Sequence, residues 1–412
     1  MRAGIALLAA TAGCFGAGPT PSKPSDATVL FAAPVPSTDQ RCSSSVYIGA
    51  VAFGAQLGYA ALLPYSPNNC GGQSASATQA PIMQFDKTGA TPHGQMIGTA
   101  TAQTQGSNAL PRIVATATGA LWAYNANNGS SITVDPGGLQ TNPSNPGGFV
   151  APTGLVTDGA SVYVAGWSPP SGRAEVDNPQ YPCCGPSNGS GGTYSFTRLP
   201  GPTQLAITPH FACETTHDCL VSTSSSLYYL EHEDGGANGI RVSSFPTAGT
   251  KPSDAAVIAP LDPASGLVPV GLAADEQRVA WALSIDYGAV VGASPGCQIW
   301  EYDVAAKHAD RVLSTTRFSC MGLALDGDTA YFAIVGAAQQ DDCNGCTVPI
   351  HGYGLGRVTA AGALEAIALG LTDLAAGPRR VYLDGDDLYA IDPLAIARIA
   401  KAALVGRQDF TP

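Results

Sequence analysis

A short phrase recurs along almost the whole chain. Its clearest copies are Leu155-Val-Thr-Asp-Gly-Ala-Ser-Val-Tyr163, Leu323-Ala-Leu-Asp-Gly-Asp-Thr-Ala-Tyr331 and the shorter Leu383-Asp-Gly-Asp-Asp-Leu-Tyr389. Looser copies end at four other aromatic residues, Tyr59, Trp122, Tyr228 and Trp281. A unit that recurs at a period of tens of residues indicates a repeat architecture, in which each copy is one supersecondary element.

Each copy of the phrase has the pattern of a β-hairpin. The Leu and the residues after it end one strand, and the apolar residue before the final aromatic begins the next. Between them, Asp-Gly is a tight-turn signal, because such turns need a positive φ that Gly adopts without steric cost. The phrase therefore predicts the first and second strands of every repeat.

A second motif follows each copy of the first. It is an apolar and often aromatic residue before a turn, and it occurs at 82–89, 132–138, 194–196, 241–245, 298–303, 356–359 and 397–399. We interpret it as a third strand entering its turn to a fourth. Two hairpins per repeat give four strands, and four-stranded repeats arranged about an axis are the blades of a β-propeller.

The two motifs alternate seven times, which predicts an all-β fold: one β-propeller of four-stranded antiparallel blades over residues 41–412. Seven blades are expected, and six are the alternative because the first and last copies match least well. A pair of β-sandwiches would also give many short strands, but the sevenfold alternation favours the propeller. The segment from Thr28 to Ala33 is a candidate strand that would close the ring by pairing into the last blade.

The N-terminus has the features of an export signal. Arg2 precedes the apolar run 3–12, which is too short to span a bilayer. Residues 12–14, Ala-Gly-Cys, resemble the end of the lipobox of bacterial lipoproteins, with Thr11 where Leu is usual. This resemblance implies a signal peptide at 1–13, a lipid on Cys14 and a Pro-, Ser- and Thr-rich tether at 14–40. Ordinary secretion with cleavage after residue 12 is the alternative.

Cysteine parity favours the lipoprotein. The chain has 11 cysteines, and a lipid on Cys14 leaves an even number that can pair. The repeats and the lipobox together resemble bacterial periplasmic or secreted β-propeller lipoproteins, over about residues 45–405 for the propeller. We therefore expect an exported protein, at the outer membrane or facing the periplasm, and otherwise secreted. The lipid is the only membrane contact expected.

The remaining cysteines are expected on one face of the propeller. The long gaps between motifs lie between second and third strands, and those connections emerge on the same face as the links between blades. The cysteines fall in these two kinds of segment: Cys42, Cys70, Cys183, Cys184, Cys213, Cys219, Cys297, Cys320, Cys343 and Cys346. Proximity suggests the pairs Cys42–Cys70, Cys297–Cys320 and Cys343–Cys346, with Cys183 and Cys184 reaching separately to Cys213 and Cys219. Loops stapled to a rigid scaffold are where binding usually resides.

Side chains suited to binding occur in these loops. Trp167, Arg173, Asp177 and Tyr181 combine aromatic and polar groups that suit a sugar or a peptide, although loop packing is the structural alternative. The fourth repeat carries the densest titratable set: His210, His217 and His232, with Glu214, Asp218 and the run 231–234. These could ligate an ion or act as acid and base. However, 231–234 precede two glycines, which indicates a solvated turn.

No metal site or cofactor is expected. Cys343-x-x-Cys346 with His351 lacks a second ligand pair at zinc spacing, so a disulfide is favoured. The Asp-Gly-Asp turns at 326–328 and 384–386 resemble calcium-loop fragments but lack the later ligands. We therefore expect hairpin turns at both places.

Charge excludes one class of partner. Charged residues make up 12% of the chain, the net charge is −12 and no basic cluster occurs, which argues against nucleic acid.

The leading hypothesis is a binding module that holds a protein or glycan partner on the looped face. The alternatives are a carbohydrate-active lyase or hydrolase on that face, or a structural envelope scaffold. An enzyme predicts His and carboxylates converging at the central mouth, whereas a binding module predicts an aromatic or apolar patch. Catalytic residues and oligomeric state stay unassigned.

Overall fold

The computed structural model describes residues 27–33, 45–65, 78–89, 94–102, 112–117, 119–126, 129–134, 151–168, 193–199, 203–207, 210–211, 219–232, 240–261, 267–285, 295–335, 339–340, 347–348, 354–369, 380–392 and 394–406. Strands dominate this part of the chain, and short 3-10 turns occur at Pro252–Asp254 and Lys401–Ala403. No helix within it has the length and hydrophobicity that crossing a membrane requires.

The strands form consecutive antiparallel sheets. The first strand is β1 (Ala27–Ala32). Blade 1 then contains β2 (Ser45–Phe53), β3 (Leu57–Tyr65), β4 (Thr78–Asp86) and β5 (Gln95–Ala102). A three-stranded sheet follows, with β6 (Arg112–Thr116), β7 (Gly119–Ala126) and β8 (Gly129–Val134).

The middle of the chain forms two further blades. Blade 2 contains β9 (Ala151–Thr157), β10 (Val162–Ser168), β11 (Thr193–Leu199) and β12 (Thr203–Ile207). Blade 3 contains β13 (His210–Phe211), β14 (Leu220–Ser222), β15 (Ser226–His232), β16 (Ile240–Pro246) and β17 (Ala256–Leu261). Both β13 and β14 pair with β15, so they share one position in the blade.

The last three blades complete the ring. Blade 4 contains β18 (Val268–Ala274), β19 (Arg278–Ser284), β20 (Cys297–Asp303) and β21 (His308–Thr315). Blade 5 contains β22 (Ser319–Asp326), β23 (Thr329–Val335), β26 (Gly354–Thr359) and β27 (Leu364–Leu369), with a small hairpin of β24 (Gln339–Gln340) and β25 (Thr347–Val348) inserted. Blade 6 contains β28 (Arg380–Asp384), β29 (Asp387–Ile391), β30 (Ala395–Ala400) and β1.

The prediction of an all-β propeller with four-stranded antiparallel blades is confirmed. Six sheets reach four strands, which is the six-blade alternative. The three-stranded sheet stands where the second of the seven predicted repeats falls, and its β6 lies against the inner strands β2 and β9 of its neighbours. Among the described residues the ring thus has six full blades and one three-stranded sheet.

The N-terminal strand closes the ring. β1 pairs antiparallel with β30, with Ala27 opposite Ile399 and Ala32 opposite Ala395. Leu30 and Phe31 of β1 are fully buried, and Phe31 stacks on Phe85 of blade 1 with ring centroids 5.5 Å apart. The predicted closing strand is therefore confirmed. β1 thus lies within the segment 14–40 that was expected to form the tether, and this part of the segment contributes a strand to the propeller.

The core lies between neighbouring blades. Residues 279–284 of the second strand β19 are all buried, because other blades cover both faces of the sheet. The outer strand β21 has a single buried residue, Leu313, since much of the strand meets solvent. Trp281 of β19 stacks on Trp300 of β20, with centroids 6.3 Å apart. Burying each large apolar side chain contributes about 1.5–3 kcal/mol, so the interfaces between blades supply most of the stability.

Both sequence motifs lie where they were expected. The turns at Gly159, Gly327 and Gly385 join first and second strands, and these glycines have φ of 90°, 55° and 56°. The Asp-Gly-Asp segments are thus hairpin turns, as predicted. The second motif lies in the third strands β4, β8, β11, β16, β20, β26 and β30.

Two faces follow from this strand order. The turn face carries the connections from first to second and from third to fourth strands. The looped face carries the connections from second to third strands and the links between blades. The longest of these run between Ser168 and Thr193 and between Val335 and Gly354.

Candidate functional site

The inner strands surround a central cavity of about 520 Å³. It is lined by residues of β2, β6, β9, β14, β18, β22 and β28. Many of the lining residues are aliphatic, such as Val51, Ile113, Leu155 and Leu272, but these side chains are buried in the cores between blades, and the surface that faces the cavity is more polar than apolar. A cavity of this size can hold a small organic molecule.

Two arginines stand at one end of the cavity. Arg112 and Arg380 are the first residues of β6 and β28, which places both at the looped-face end of their strands. Arg112 is only 8% exposed. Arg380 Nη2 donates a hydrogen bond to the carbonyl oxygen of Gly49 at 2.5 Å. Asp384, at the other end of β28, is the single carboxylate among the described residues of the lining.

Several inner strands share an irregularity. The antiparallel register shifts within the first-strand pairings of β2, β9, β18 and β22, as it does at a β-bulge. A bulge leaves one residue outside the regular ladder and bends the strand. In β2 the shift lies between Ile48 and Ala50, and the residue between them, Gly49, offers the carbonyl that Arg380 uses. The bulge therefore creates the acceptor that positions this arginine.

A disulfide joins two blades at the looped face. Cys297, the first residue of β20 in blade 4, is bonded to Cys320 of β22 in blade 5, with Cα atoms 5.4 Å apart. Both residues are fully buried. This pair is one of those predicted from the sequence to join neighbouring blades. Cys219, just before β14, is also disulfide-bonded, and it too lies at the looped face.

The other cysteines of the prediction lie outside the described residues: Cys14, Cys42, Cys70, Cys183, Cys184, Cys213, Cys343 and Cys346. Their roles as lipid anchor or disulfide partners stay predictions.

A buried carboxylate stands at the looped-face end of blade 3. Glu231 of β15 is 2% exposed, and its Oε1 accepts hydrogen bonds from Arg241 Nε at 2.5 Å and from the Ser243 hydroxyl. Its Oε2 is buried without a hydrogen-bond partner. The expectation of a solvated turn is thus wrong for Glu231, because β15 continues through this residue and pairs it with Arg241 on β16.

The predicted binding residues are only partly described. Trp167 lies near the looped-face end of β10, where its backbone pairs with Tyr194. His232 is the last residue of β15, and its backbone is opposite His210 and Ile240. Arg173, Asp177, Tyr181 and His217 lie outside the described residues. Within the described part of the chain, no group of three or more His, Cys, Asp or Glu could hold a metal ion.

A second pocket, of about 620 Å³, opens on the turn face between blades 1 and 6. Lys87 lies in it, 7% exposed, and is ion-paired with Asp384. Lys87 Nζ also donates to the carbonyl oxygens of Gly54 at 2.6 Å and Ala55 at 3.3 Å. Burial lowers the pKa of Lys87, and the Asp387 carboxylate partly opposes this shift. These contacts fasten the first blade to the last, so we assign this pocket a structural role.

Sequence analysis missed Arg112, Arg380 and Lys87. The signal for the two arginines was their equivalent position, since each is the first residue of a first strand. An alignment of the repeats with one another would have superposed them. Lys87 follows the third strand of blade 1, and no local pattern indicates that Asp384 is its partner.

Comparisons with known proteins bear on the fold. No family model matches the chain, and no curated protein matches it. A solved structure of a puromycin-hydrolyzing peptidase from Mycobacterium tuberculosis is similar with a TM-score of 0.50 at 12% identity, over 93% of this chain and 57% of that one. An acylaminoacyl peptidase from Pyrococcus horikoshii gives 0.48 at 11% identity, over 85% and 52%.

The β-propeller domain of the Trilobed protease from Pyrococcus furiosus gives a TM-score of 0.45 at 8% identity, over 88% of this chain and 97% of that domain. The chain spans little more than half the length of the two peptidases above. At such identities the similarity concerns the fold alone. The chain is therefore a β-propeller by its own strand order, with a fold similar to that of the puromycin-hydrolyzing peptidase.

Proposed function

We propose that this protein is an exported binding module, whose looped face holds a protein or glycan partner. The observation that carries the proposal is the Cys297–Cys320 disulfide, which ties a second-to-third strand loop of one blade to the first strand of the next. A covalent bond at this position holds the bases of two loops at a fixed spacing. Preorganised loops lose less conformational entropy on binding, and structural disulfides are typical of exported proteins.

The central cavity favours binding over hydrolysis. A carbohydrate-active enzyme needs acid and base groups that converge on the substrate. Among the described residues of the lining, histidine is absent, and the single carboxylate, Asp384, is ion-paired with Lys87.

Site-specific photo-crosslinking on one blade tests the proposal. Arg317, in the link between β21 and β22, is exposed on the looped face, and Gln277, in the turn between β18 and β19, is exposed on the turn face. Each position in turn carries a photoreactive phenylalanine in the full chain in cells. We expect defined crosslinked products from position 317 and none from position 277. Equal labelling at both positions, or none at position 317, would refute a partner on the looped face.

The lipid anchor is a separate part of the proposal. The lipobox-like segment and cysteine parity support lipidation of Cys14. Cys14→Ser is expected to release the protein from membranes and to abolish incorporation of a labelled fatty acid. Membrane retention of the variant would overturn the anchor and leave the looped-face proposal standing.

A further inference from the structure

We propose that the lipid on Cys14 holds the propeller with its turn face towards the membrane, so that the looped face points into the aqueous compartment. This inference rests on the lipid anchor proposed above. It also narrows the partner of the looped face to one that arrives from the aqueous side and not from within the same membrane.

The direction of β1 is the first argument. Third strands run from the looped face to the turn face, because the connections that lead into them lie on the looped face. β1 is antiparallel to the third strand β30, with Ala27 opposite Ile399 and Ala32 opposite Ala395. β1 therefore runs from the turn face to the looped face, and the chain that precedes Ala27 leaves the ring at the turn face.

Contacts with blade 1 hold the start of β1 at this face. Thr28 lies opposite Arg398 of β30, and Arg398 Nη1 donates a hydrogen bond to the carbonyl oxygen of Lys87 at 2.8 Å. Lys87 and Gly89 follow the third strand β4, so they belong to the turn face. A Cβ atom at Gly89 would lie 2.8 Å from Thr28 Cγ2, so this turn packs closely against β1. The exit point of the preceding chain is thus fixed at the turn-face rim, between blades 6 and 1.

The length of the chain between the lipid and the ring is the second argument. The segment from Cys14 to Ala27 spans at most about 45 Å when fully extended. β1, with 6 residues, is about 20 Å long. With the turn face towards the membrane, the segment keeps its whole range of conformations. With the looped face towards the membrane, it must first run past the height of the blade, and this restriction costs conformational entropy. The short connection therefore favours the turn face as the membrane-facing side.

Energy transfer to the membrane surface tests the inference. The full lipidated chain is reconstituted in phosphatidylcholine vesicles with an acceptor dye on some headgroups; these lipids have no net charge, so the charge of either face does not set the orientation. An azidophenylalanine that carries the donor dye replaces exposed Gln277 on the turn face or exposed Arg317 on the looped face. We expect about twofold higher transfer from position 277, because it lies nearer to the lipid by roughly the height of a blade. Equal transfer from both positions, or higher transfer from position 317, would overturn the orientation.

Two further chains separate the orientation from the lipid anchor. Cys14→Ser is expected to abolish transfer from both positions, and undiminished transfer would overturn the anchor. A chain with about 40 Gly-Ser residues inserted after residue 20 keeps the lipid, and the difference between the two positions should largely disappear, because the longer connection permits both orientations. An undiminished difference would overturn the short connection as the cause. A lipidated, membrane-bound wild type without any difference would overturn the orientation and leave the anchor standing.

Discussion

The two faces of the propeller are held together by different means. On the turn face the connections are short, and polar side chains link one blade to the next. At the looped face the connections are longer, and a disulfide and a buried ion pair hold their bases. The difference suggests that the turn face maintains the ring, while the looped face is free to vary in its loops without loss of the fold.

The repeated Asp of the hairpin phrase illustrates the turn face. Asp158 Oδ2 accepts a hydrogen bond from Tyr163, within its own hairpin, at 2.9 Å. Asp326 of blade 5 instead pairs with Lys401, after β30 of blade 6, at 2.5 Å. Asp384 of blade 6 pairs with Lys87 of blade 1. One position of the repeat thus serves either the local turn or the junction between blades, each through a reversible contact of modest strength.

The looped-face end relies on fewer and stronger contacts. The Cys297–Cys320 bond joins two blades covalently. The Glu231–Arg241 pair lies within blade 3, with Glu231 2% exposed, and is more deeply buried than the two turn-face pairs that join neighbouring blades, Lys87–Asp384 and Asp326–Lys401. If this comparison is right, single substitutions at the looped-face end cost more stability than those on the turn face.

Glu231→Ala is expected to have the largest effect. It removes the carboxylate beside Arg241 and Ser243 and leaves a cavity and an uncompensated guanidinium, which costs about 3–5 kcal/mol for a buried pair. Guanidinium chloride unfolding of the purified chain measures the loss. The double variant Glu231→Leu/Arg241→Met is the control, because removing both charges recovers most of the stability. A loss below that of the turn-face variants would break the comparison.

Removal of the disulfide comes next. The bond removed in the variant Cys297→Ala/Cys320→Ala closes a loop with a sequence separation of 23. Its removal is therefore expected to lower the free energy of unfolding by about 3 kcal/mol, because the unfolded chain gains conformational entropy. Denaturant unfolding without reductant measures it, so that the bond of Cys219 stays intact. The same variant is expected to reduce the yield of photo-crosslinked partner at position 317, because the bases of the two loops lose their fixed spacing. Unchanged stability would mean that neighbouring contacts already hold the two blades together.

Asp384→Asn tests the junction between first and last blades. It removes the ionic partner of Lys87, whose ammonium group still has the carbonyls of Gly54 and Ala55. Because Asp384 is 45% exposed, we expect a loss of only about 1–2 kcal/mol. Asp386→Asn, on the same turn and exposed, is the matched control. A loss of unfolding free energy as large as that of Glu231→Ala would show that the Lys87–Asp384 pair stabilises the ring more strongly than the exposure of Asp384 suggests.

Sequence patterns revealed the features that depend on neighbours along the chain. Asp-Gly turns need a positive φ, so the hairpins at Gly159, Gly327 and Gly385 were predictable. Cysteine positions relative to the strands predicted the Cys297–Cys320 bond. The closing strand was predictable because its apolar residues must be buried somewhere.

The features that were missed depend on blades that are distant in sequence. Lys87 and Asp384 meet only when the ring closes, and the carbonyl of Gly49 is available to Arg380 only because β2 bulges there. Glu231 was misinterpreted because a charged run before two glycines is typical of a turn. Its burial follows from pairing with Arg241 on the next strand, and composition alone does not reveal that partner.

The smallest expected effect is a pH dependence at the hairpin of blade 2. Burial raises the pKa of Asp158, but hydrogen bonds from the Ser161 and Ala160 amides and the Tyr163 hydroxyl outweigh it, so its pKa lies below the usual value. A carboxyl group with a lowered pKa stabilises the fold above its unfolded-state pKa, and this contribution is lost as pH falls through the folded-state pKa.

Asp158→Asn isolates that contribution. At pH 7 we expect the free energy of unfolding to fall by about 0.5 kcal/mol. The effect is small because solvent screens the partly exposed carboxylate. The difference from wild type should shrink as the pH falls below the unfolded-state pKa of Asp158 and vanish below its folded-state pKa, because protonation then neutralises Asp158 in both states of the wild type. Denaturant unfolding across this range measures it, again with Asp386→Asn as control. A difference that persists at low pH would mean that the loss comes from altered hydrogen-bond geometry and not from the lost charge. The contribution of this turn to stability would then depend on hydrogen-bond geometry more than on electrostatics.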